Sequence, residues 1–280
     1  MSKEGQEEVI DTAKSYYDSH DAHTFYHMIW GGEEHHLGIY RTPEDSVFEA
    51  SRRIIGHMAS FSDHLDENTK VLDLGSGMGG TSRYLAKTYH CHVTGLNLSE
   101  VENERHRKKN REQGLEKRIE VVDGNFEDVP FPDESFDLVW SQDSFLHSPN
   151  RKKVLSEAYR VLKKGGELIF TDPMQTEDAY TEFIQPILKR IHLSNLATPS
   201  FYIQSAQEIG FEYGGYENLA QQLTNHYGKI LEDTEAREDE LKANGVSQDY
   251  LDHMKEGLRN WVIGGKYGHL TWGVFCFRKK

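Results

Sequence analysis

Residues 1–66 carry no strand pattern and read as helices: Val9 to Tyr17, the aromatic stretch Phe25-Tyr26-His27-Met28-Ile29-Trp30, and Pro43 to Leu65. Thr42-Pro43 opens the third, since proline suits an early helical position and Glu44 and Asp45 then lie near the positive end of the helix dipole. Gly31-Gly32 marks a break before it. From Lys70 short apolar runs alternate with amphipathic stretches. Val71 to Leu74, His92 to Leu96, Arg118 to Val122, Phe136 to Trp140 and Glu167 to Thr171 read as strands; Thr81 to Tyr89, Ser99 to Gln113 and Arg151 to Leu162 read as helices. Helices of that length between strands imply crossover connections and a parallel sheet covered on both faces.

After Asp172 the alternation loosens. Residues 174–199 read as an irregular helical insertion, Tyr202 to Ile209 as a helix, Phe211 to Tyr216 as a strand, and Leu219 to Gly264 as a polar helical block with a solvated charged face. His269 to Phe277 is a last strand, and no crossover helix immediately precedes it, so it is expected to run antiparallel. The pattern predicts an α/β fold: a seven-stranded, mostly parallel sheet with an antiparallel last strand, flanked by helices. Residues 1–66 are expected to form a helical lid, and 67–280 a sheet domain with insertions at 174–199 and 219–266 that help to close its pocket.

Size and charge narrow the functions open to this chain. Its 280 residues can bury a full α/β core but not two unrelated large domains. Lys and Arg number 32 against 46 Asp and Glu, and the resulting charge of −14 repels nucleic-acid phosphates and anionic membranes. Neither is expected as a partner. Cys91 and Cys276 are too few for a disulfide framework or a zinc site and suit a reducing cytoplasm. With no signal-like apolar core and no run of ~18 apolar residues, the expectation is a cytoplasmic protein, monomer or homodimer. His20, His23, His27, His35 and His36 lack a matching carboxylate spacing, so no metal is expected.

The chemistry centres on Val71-Leu72-Asp73-Leu74-Gly75-Ser76-Gly77-Met78-Gly79-Gly80. Glycines directly after a strand let the backbone turn sharply and approach a ligand, and the helix they open offers amide donors and partial positive charge. Gly75, Gly77 and Gly80 fit G-x-G-x-x-G, the spelling of a dinucleotide site. Two features favour S-adenosylmethionine instead. Asp73 would sit badly beside a pyrophosphate but well near an ammonium group. The strand end where NAD enzymes want an acid for the ribose carries Asn97 followed by Leu98.

On these residues the chain resembles the class I, Rossmann-like methyltransferases. The segment from Val122 through Asn125 and Phe126 to Trp140 resembles that family's adenine-binding loop and fourth strand, and Arg160-Val161-Leu162-Lys163-Lys164-Gly165-Gly166 its turn before the fifth. Phe25 to Glu33, Leu96 to Asn103, Trp140-Ser141-Gln142-Asp143, Phe170 to Gln175 and Leu188 to Leu193 resemble, more narrowly, the sarcosine/dimethylglycine N-methyltransferases, which make glycine betaine. The resemblance implies an S-adenosylmethionine-dependent N-methyltransferase that converts sarcosine to dimethylglycine and dimethylglycine to betaine. Asp73, Gly75, Ser76, Gly77, Asn97, Leu98, Asn125, Phe126, Ser141 and Gln142 are then expected to bind the cofactor.

Methyl transfer to nitrogen needs a free lone pair, and alkyl amines titrate near the lysine value of about 10. Reaching that form near neutral pH costs on the order of 4 kcal/mol, which a desolvating pocket and a positioned base can offset. His147 and Asp172, just beyond the fourth and fifth strands, are the catalytic candidates. Asp172 can also hold the substrate ammonium. A carboxylate on the acceptor calls for a cation, and Arg190 is the first choice because a guanidinium grips it with two parallel bonds. A methylated ammonium suits aromatic faces, which Tyr26, Trp30, Trp140 and Tyr202 supply; Met174 completes the expected acceptor site. Two other readings stand beside this one: a methyltransferase for a larger acceptor of natural-product or phosphoethanolamine type, and a catalytically silent S-adenosylmethionine-binding regulator.

Overall fold

The computed structural model describes residues 20–280 except Gly31 and His64, with the side chains of His20 and His23 left aside. The helix expected over Val9 to Tyr17 lies outside the described residues. In chain order the strands are β1 (Lys70–Leu74), β2 (His92–Asn97), β3 (Ile119–Asp123), β4 (Phe136–Gln142), β5 (Leu162–Thr171), β6 (Met174–Gln175), β7 (Phe211–Asn218), β8 (Leu270–Thr271) and β9 (Gly273–Lys279). The first helices are α1 (His20–Ile29), α2 (Val47–Ala59), α3 (Gly80–Thr88), α4 (Glu100–Glu112) and α5 (Arg151–Val161). The later ones are α6 (Thr181–Arg190), α7 (Pro199–Ile209), α8 (Ala220–Ala236), α9 (Glu238–Ala243) and α10 (Gln248–Lys266).

The chain divides into two compact units. The sheet unit comprises Ile55–Asp172, Pro199–Glu217 and Gly273–Lys280. Its seven strands are ordered β3-β2-β1-β4-β5-β9-β7. The β1–β2, β2–β3, β1–β4 and β4–β5 pairs are parallel, and β9 lies antiparallel on β5, as the strand pattern predicted. Val71, Leu72, Leu74, Leu138, Val139, Trp140, Leu168, Ile169 and Phe170 are all buried, which is what strands covered on both faces require. The order reverses between β1 and β4, so the connections leaving those strands diverge and open a crevice at their carboxyl ends.

The helical unit takes the described part of Met1–Ile54 with Pro173–Thr198 and Asn218–Trp272. On α10, Leu251, Met254, Leu258 and Trp261 are buried along one face. The Trp261 ring stacks on Tyr227 of α8 at 4.7 Å. The Gln222 side chain grips both sides of the Tyr40 backbone, accepting from its amide at 2.8 Å and donating to its carbonyl at 3.2 Å. That pair of hydrogen bonds ties the segment after α1 to α8. Among the described residues no helix is long and apolar enough to cross a membrane.

Helices α1 and α7 begin a few residues earlier than expected, at His20 and Pro199, and three larger differences from the sequence pattern have a visible cause. The helix expected from Pro43 to Leu65 runs only from Val47 to Ala59. Its start is set by Ser46 and Glu49: the Glu49 amide donates to Ser46 Oγ, and the Ser46 amide donates back to the Glu49 carboxylate. This reciprocal cap outweighs the proline upstream. Strand β5 begins at Leu162, ahead of the expected Glu167, and pairs there with Phe136. The last strand is two: β8 pairs with β6 in the helical unit, while β9 joins the main sheet. Between them Gly273 approaches the Glu217 carbonyl so closely that a Cβ would collide with it.

Candidate functional site

The glycine turn leaves β1 in the left-handed conformation three times, with φ of 76° at Gly75, 49° at Gly77 and 77° at Gly79, and enters α3 at Gly80. Residues with side chains rarely hold such angles. Each glycine faces something different. A Cβ on Gly75 would collide with Ser144, one on Gly79 would collide with the His106 ring, and one on Gly77 would meet nothing within 4 Å. The turn is therefore buttressed from within the protein at two positions and open at the third.

Asp73 lies beneath this turn, buried, and accepts a 2.6 Å bond from Ser82 Oγ in α3. Burial lifts its carboxyl to about 6, and the Ser82 bond opposes that shift. At the end of β2, Asn97 donates to the Glu102 carboxylate at 3.0 Å, and Leu98 is 36 % exposed beyond it. Ser99 caps α4 by accepting from the Glu102 amide. Asn125 accepts from the Glu127 amide at 2.8 Å, an Asx turn that sets the loop carrying Phe126, whose ring packs edge-on against Phe145.

At the end of β4, Ser141 Oγ donates to the Leu74 carbonyl, locking β4 to β1. The Gln142 carbonyl oxygen accepts from Thr81 Oγ1 at 2.8 Å and from Trp140 Nε1 at 3.0 Å. Its Nε2 and Ser76 Oγ are buried without a partner among the described residues. Asp143, next along, holds φ of 52°, tied to Thr171 through its amide and its carboxylate. Trp140 is wholly buried in the sheet.

A short helical turn, Phe145–His147, follows. His147 sits in it, densely surrounded by protein, and burial with the neighbouring Arg151 charge pushes its imidazole down to about 4. The ring is thus neutral near pH 7. Asp172 is 0 % exposed; one oxygen accepts from the Leu146 amide at 2.9 Å and the other from Tyr202 Oη at 2.6 Å. Burial raises its carboxyl to about 7 against the lowering effect of the Tyr202 bond and the Arg151 charge. Asp172 thereby joins the His147 turn to α7.

The remaining sequence candidates belong to the helical unit. Tyr26 and Trp30 are buried with ring centroids 5.0 Å apart, in a cluster with His35, His226 and Tyr227. Met174 is buried in β6. Arg190, at the end of α6, directs Nη2 to Met254 Sδ at 2.9 Å and lies against Gly257, where any Cβ would collide with it. His106, Glu102, Ser144 and His226 were not among the sequence candidates. Ser99-x-x-Glu102 is a capping signature that singles out Glu102; nothing local marks the other three. Among the described residues no group of three or more His, Cys, Asp or Glu is placed to hold a metal ion.

Comparison with known proteins adds an independent line. The methyltransferase domain family matches residues 72–170. A sarcosine/dimethylglycine N-methyltransferase of Halorhodospira halochloris is 53% identical over 279 residues, covering 100% of both chains. A solved structure assigned as a sarcosine dimethylglycine methyltransferase from Galdieria sulphuraria superposes with a TM-score of 0.89 at 38% identity, covering 95% of this chain and 99% of that one. The fold is shared more widely. A phosphoethanolamine N-methyltransferase of Haemonchus contortus, solved with phosphomonomethylethanolamine and S-adenosylhomocysteine, reaches a TM-score of 0.83 at 19% identity, covering 97% of this chain and 60% of that one.

Proposed function

Because the chain belongs to the sarcosine/dimethylglycine N-methyltransferase family, we propose that it methylates sarcosine and then dimethylglycine, with S-adenosylmethionine as donor, to give glycine betaine. The observation that carries the donor assignment is the glycine turn: it is left-handed at Gly75, Gly77 and Gly79, and open where Gly77 would bear a side chain. S-adenosylmethionine supplies an electrophilic methyl group on a sulfonium. Around it we assign Gly75, Ser76 and Gly77 to approach through backbone, Asn97 to the ribose, Leu98, Asn125 and Phe126 to the adenine, and Ser141 and Gln142 to the floor between β1 and β4. Asp73 contributes its negative charge from beneath the turn, favouring a ligand with an ammonium group.

We assign the acceptor's contacts to Tyr26, Trp30, Met174 and Arg190, and Tyr202 acts through its bond to Asp172. We assign His147, kept neutral by burial, to take the amine's proton and pass it to solvent ahead of methyl transfer. Asp172 orients the turn carrying it, through the Leu146 amide. Free Cys91 and Cys276 suit a cytoplasmic setting. The test is to offer glycine, sarcosine, dimethylglycine and phosphoethanolamine side by side with methyl-labelled donor. Label in sarcosine and dimethylglycine is expected; label in phosphoethanolamine alone overturns the reading.

A further inference from the structure

Within the helical unit, two neighbouring buried ring nitrogens stand without a hydrogen-bond partner among the described residues. Trp30 Nε1, on a residue 5 % exposed, and His226 Nε2, on a residue 0 % exposed, both lack a hydrogen-bond partner among the described residues. Their rings are neighbours, with centroids 5.4 Å apart and planes at 60°. Buried polar atoms are nearly always satisfied, because each unsatisfied donor forfeits its bond to water. Two side by side call for a shared acceptor.

The bond between Tyr40 and His226 shows which kind. Tyr40 Oη lies 3.0 Å from His226 Nδ1 and makes no other hydrogen bond among the described residues. If Nδ1 carried the ring's proton, the Tyr40 hydroxyl and Nε2 would both be left unsatisfied. With Tyr40 donating to Nδ1, only Nε2–H is left, and it is a donor. Burial pushes the His226 imidazole down to about 3, so the ring is neutral, and it raises the Tyr40 hydroxyl, so that proton stays on oxygen. Both orphan atoms are therefore N–H donors, and the species that suits them is an anion with closely spaced oxygens. Aromatic faces adjoin the pair: Tyr26 lies 5.0 Å from Trp30 and Tyr227 6.2 Å from it. Such faces attract a methylated ammonium. An α-amino acid carries that group one carbon from its carboxylate.

We propose that Trp30 Nε1–H and His226 Nε2–H form a two-donor seat for the acceptor's carboxylate, oriented by Tyr40, which selects amino-acid carboxylates over their amides. The seat rests on the sarcosine/dimethylglycine reading and adds to it the hydrogen bonds that position the acid end. A carboxylate accepts about four hydrogen bonds, so the pair supplements Arg190.

The experiment compares wild type, Trp30→Phe, His226→Phe and His226→Gln, with dimethylglycine and dimethylglycinamide as acceptors. Calorimetry on the S-adenosylhomocysteine-loaded protein accompanies the kinetics. Each phenylalanine variant should weaken dimethylglycine binding and raise its KM about tenfold, the worth of one bond to a charged acceptor. Donor affinity should be unchanged, and the preference for acid over amide should shrink by a similar factor. His226→Gln, which keeps a donor, should recover part of the loss. An acid-to-amide preference unchanged in both phenylalanine variants, whatever happens to their stability, means that the donors serve an internal water, and it overturns the seat. A wild type that binds dimethylglycine without methylating it refutes the activity and leaves the seat to the binding ratios; one that binds neither compound refutes both.

Discussion

Tyr202 and Asp172 are joined by a 2.6 Å hydrogen bond inside the sheet unit, with both residues wholly buried. The carboxyl is raised to about 7, above its ordinary value near 3.9, because burial disfavours its charge more than the Tyr202 bond restores it. A group raised on folding contributes stability that is complete below its unfolded value and is lost as pH rises through its folded value. Asp172 should therefore make the protein progressively less stable between about pH 4 and 7, by up to ~4 kcal/mol. Denaturant unfolding of Asp172→Asn against wild type should show the difference moving in the variant's favour across that range. A difference constant with pH would show that the carboxylate ionises freely. Tyr202→Phe removes the bond that favours the charged form, so it should be destabilising by ~1–3 kcal/mol, and more so at pH 8 than at pH 5.

The glycine turn separates folding from binding at neighbouring positions. Gly79 backs onto His106, so Gly79→Ala forces a methyl into the ring and strains a residue at φ of 77°. Overpacking and the left-handed angle together should lower stability by ~2–5 kcal/mol. Gly77 has open space ahead of its missing side chain, so Gly77→Val should fold, with a smaller loss from its φ of 49°, and fail to bind S-adenosylmethionine. Melting curves and calorimetry on the two variants check this. Undiminished donor affinity in Gly77→Val removes the turn from the cofactor site.

Much of this architecture was legible from local pattern. The strands of the parallel sheet and the glycine turn are each written in a few consecutive residues. Strand β9 runs antiparallel as expected, but not for want of a crossover helix, because the 19-residue α10 ends directly before β8 and β9. What escaped was either a competition or a long-range meeting. Ser46 and Glu49 spell a capping box, but Pro43 offers a rival helix start, and only the reciprocal bonds decide between them. The division of the last strand depends on β6 and β5 pairing with successive parts of it, which hydrophobic alternation cannot register. His106 and His226 look like ordinary helical histidines. Their importance arises from Gly79 and Trp30, brought against them by the fold.

The pH dependence of catalysis should belong to the acceptor rather than to His147. That imidazole titrates near 4 and is neutral throughout the working range, whereas a secondary or tertiary amine gains its lone pair only toward pH 10. With dimethylglycine below saturation, kcat/KM should climb roughly in proportion to hydroxide from pH 6 to 9, with no inflection near 6.5. His147→Gln should keep that slope and lose little of the rate while methyl transfer is limiting, because the amine's proton has by then passed to solvent; a loss that shrinks as pH rises would show the ring carrying the proton in the limiting step. A flat wild-type profile with methyl transfer shown to be rate-limiting contradicts the deprotonation step.

Arg190 tests how the acceptor's charge is met. Its guanidinium is steered by Met254 and by the missing side chain of Gly257, so its position is set by α10 rather than by solvent. A small zwitterion has few handles, and losing a charge-assisted pair costs ~1.5–3 kcal/mol, or about 10- to 150-fold in affinity. Arg190→Ala should raise the KM for dimethylglycine at least tenfold while donor affinity stays within about twofold. Arg190→Lys should recover only part, because an ammonium cannot make the forked contact. Gly257→Ala supplies the complementary test: the added methyl displaces the guanidinium without removing it, so acceptor KM should rise with the charge intact. If both Arg190→Ala and Gly257→Ala methylate dimethylglycine with wild-type KM, Arg190 serves only the packing of α6 on α10, and the carboxylate is held by other groups.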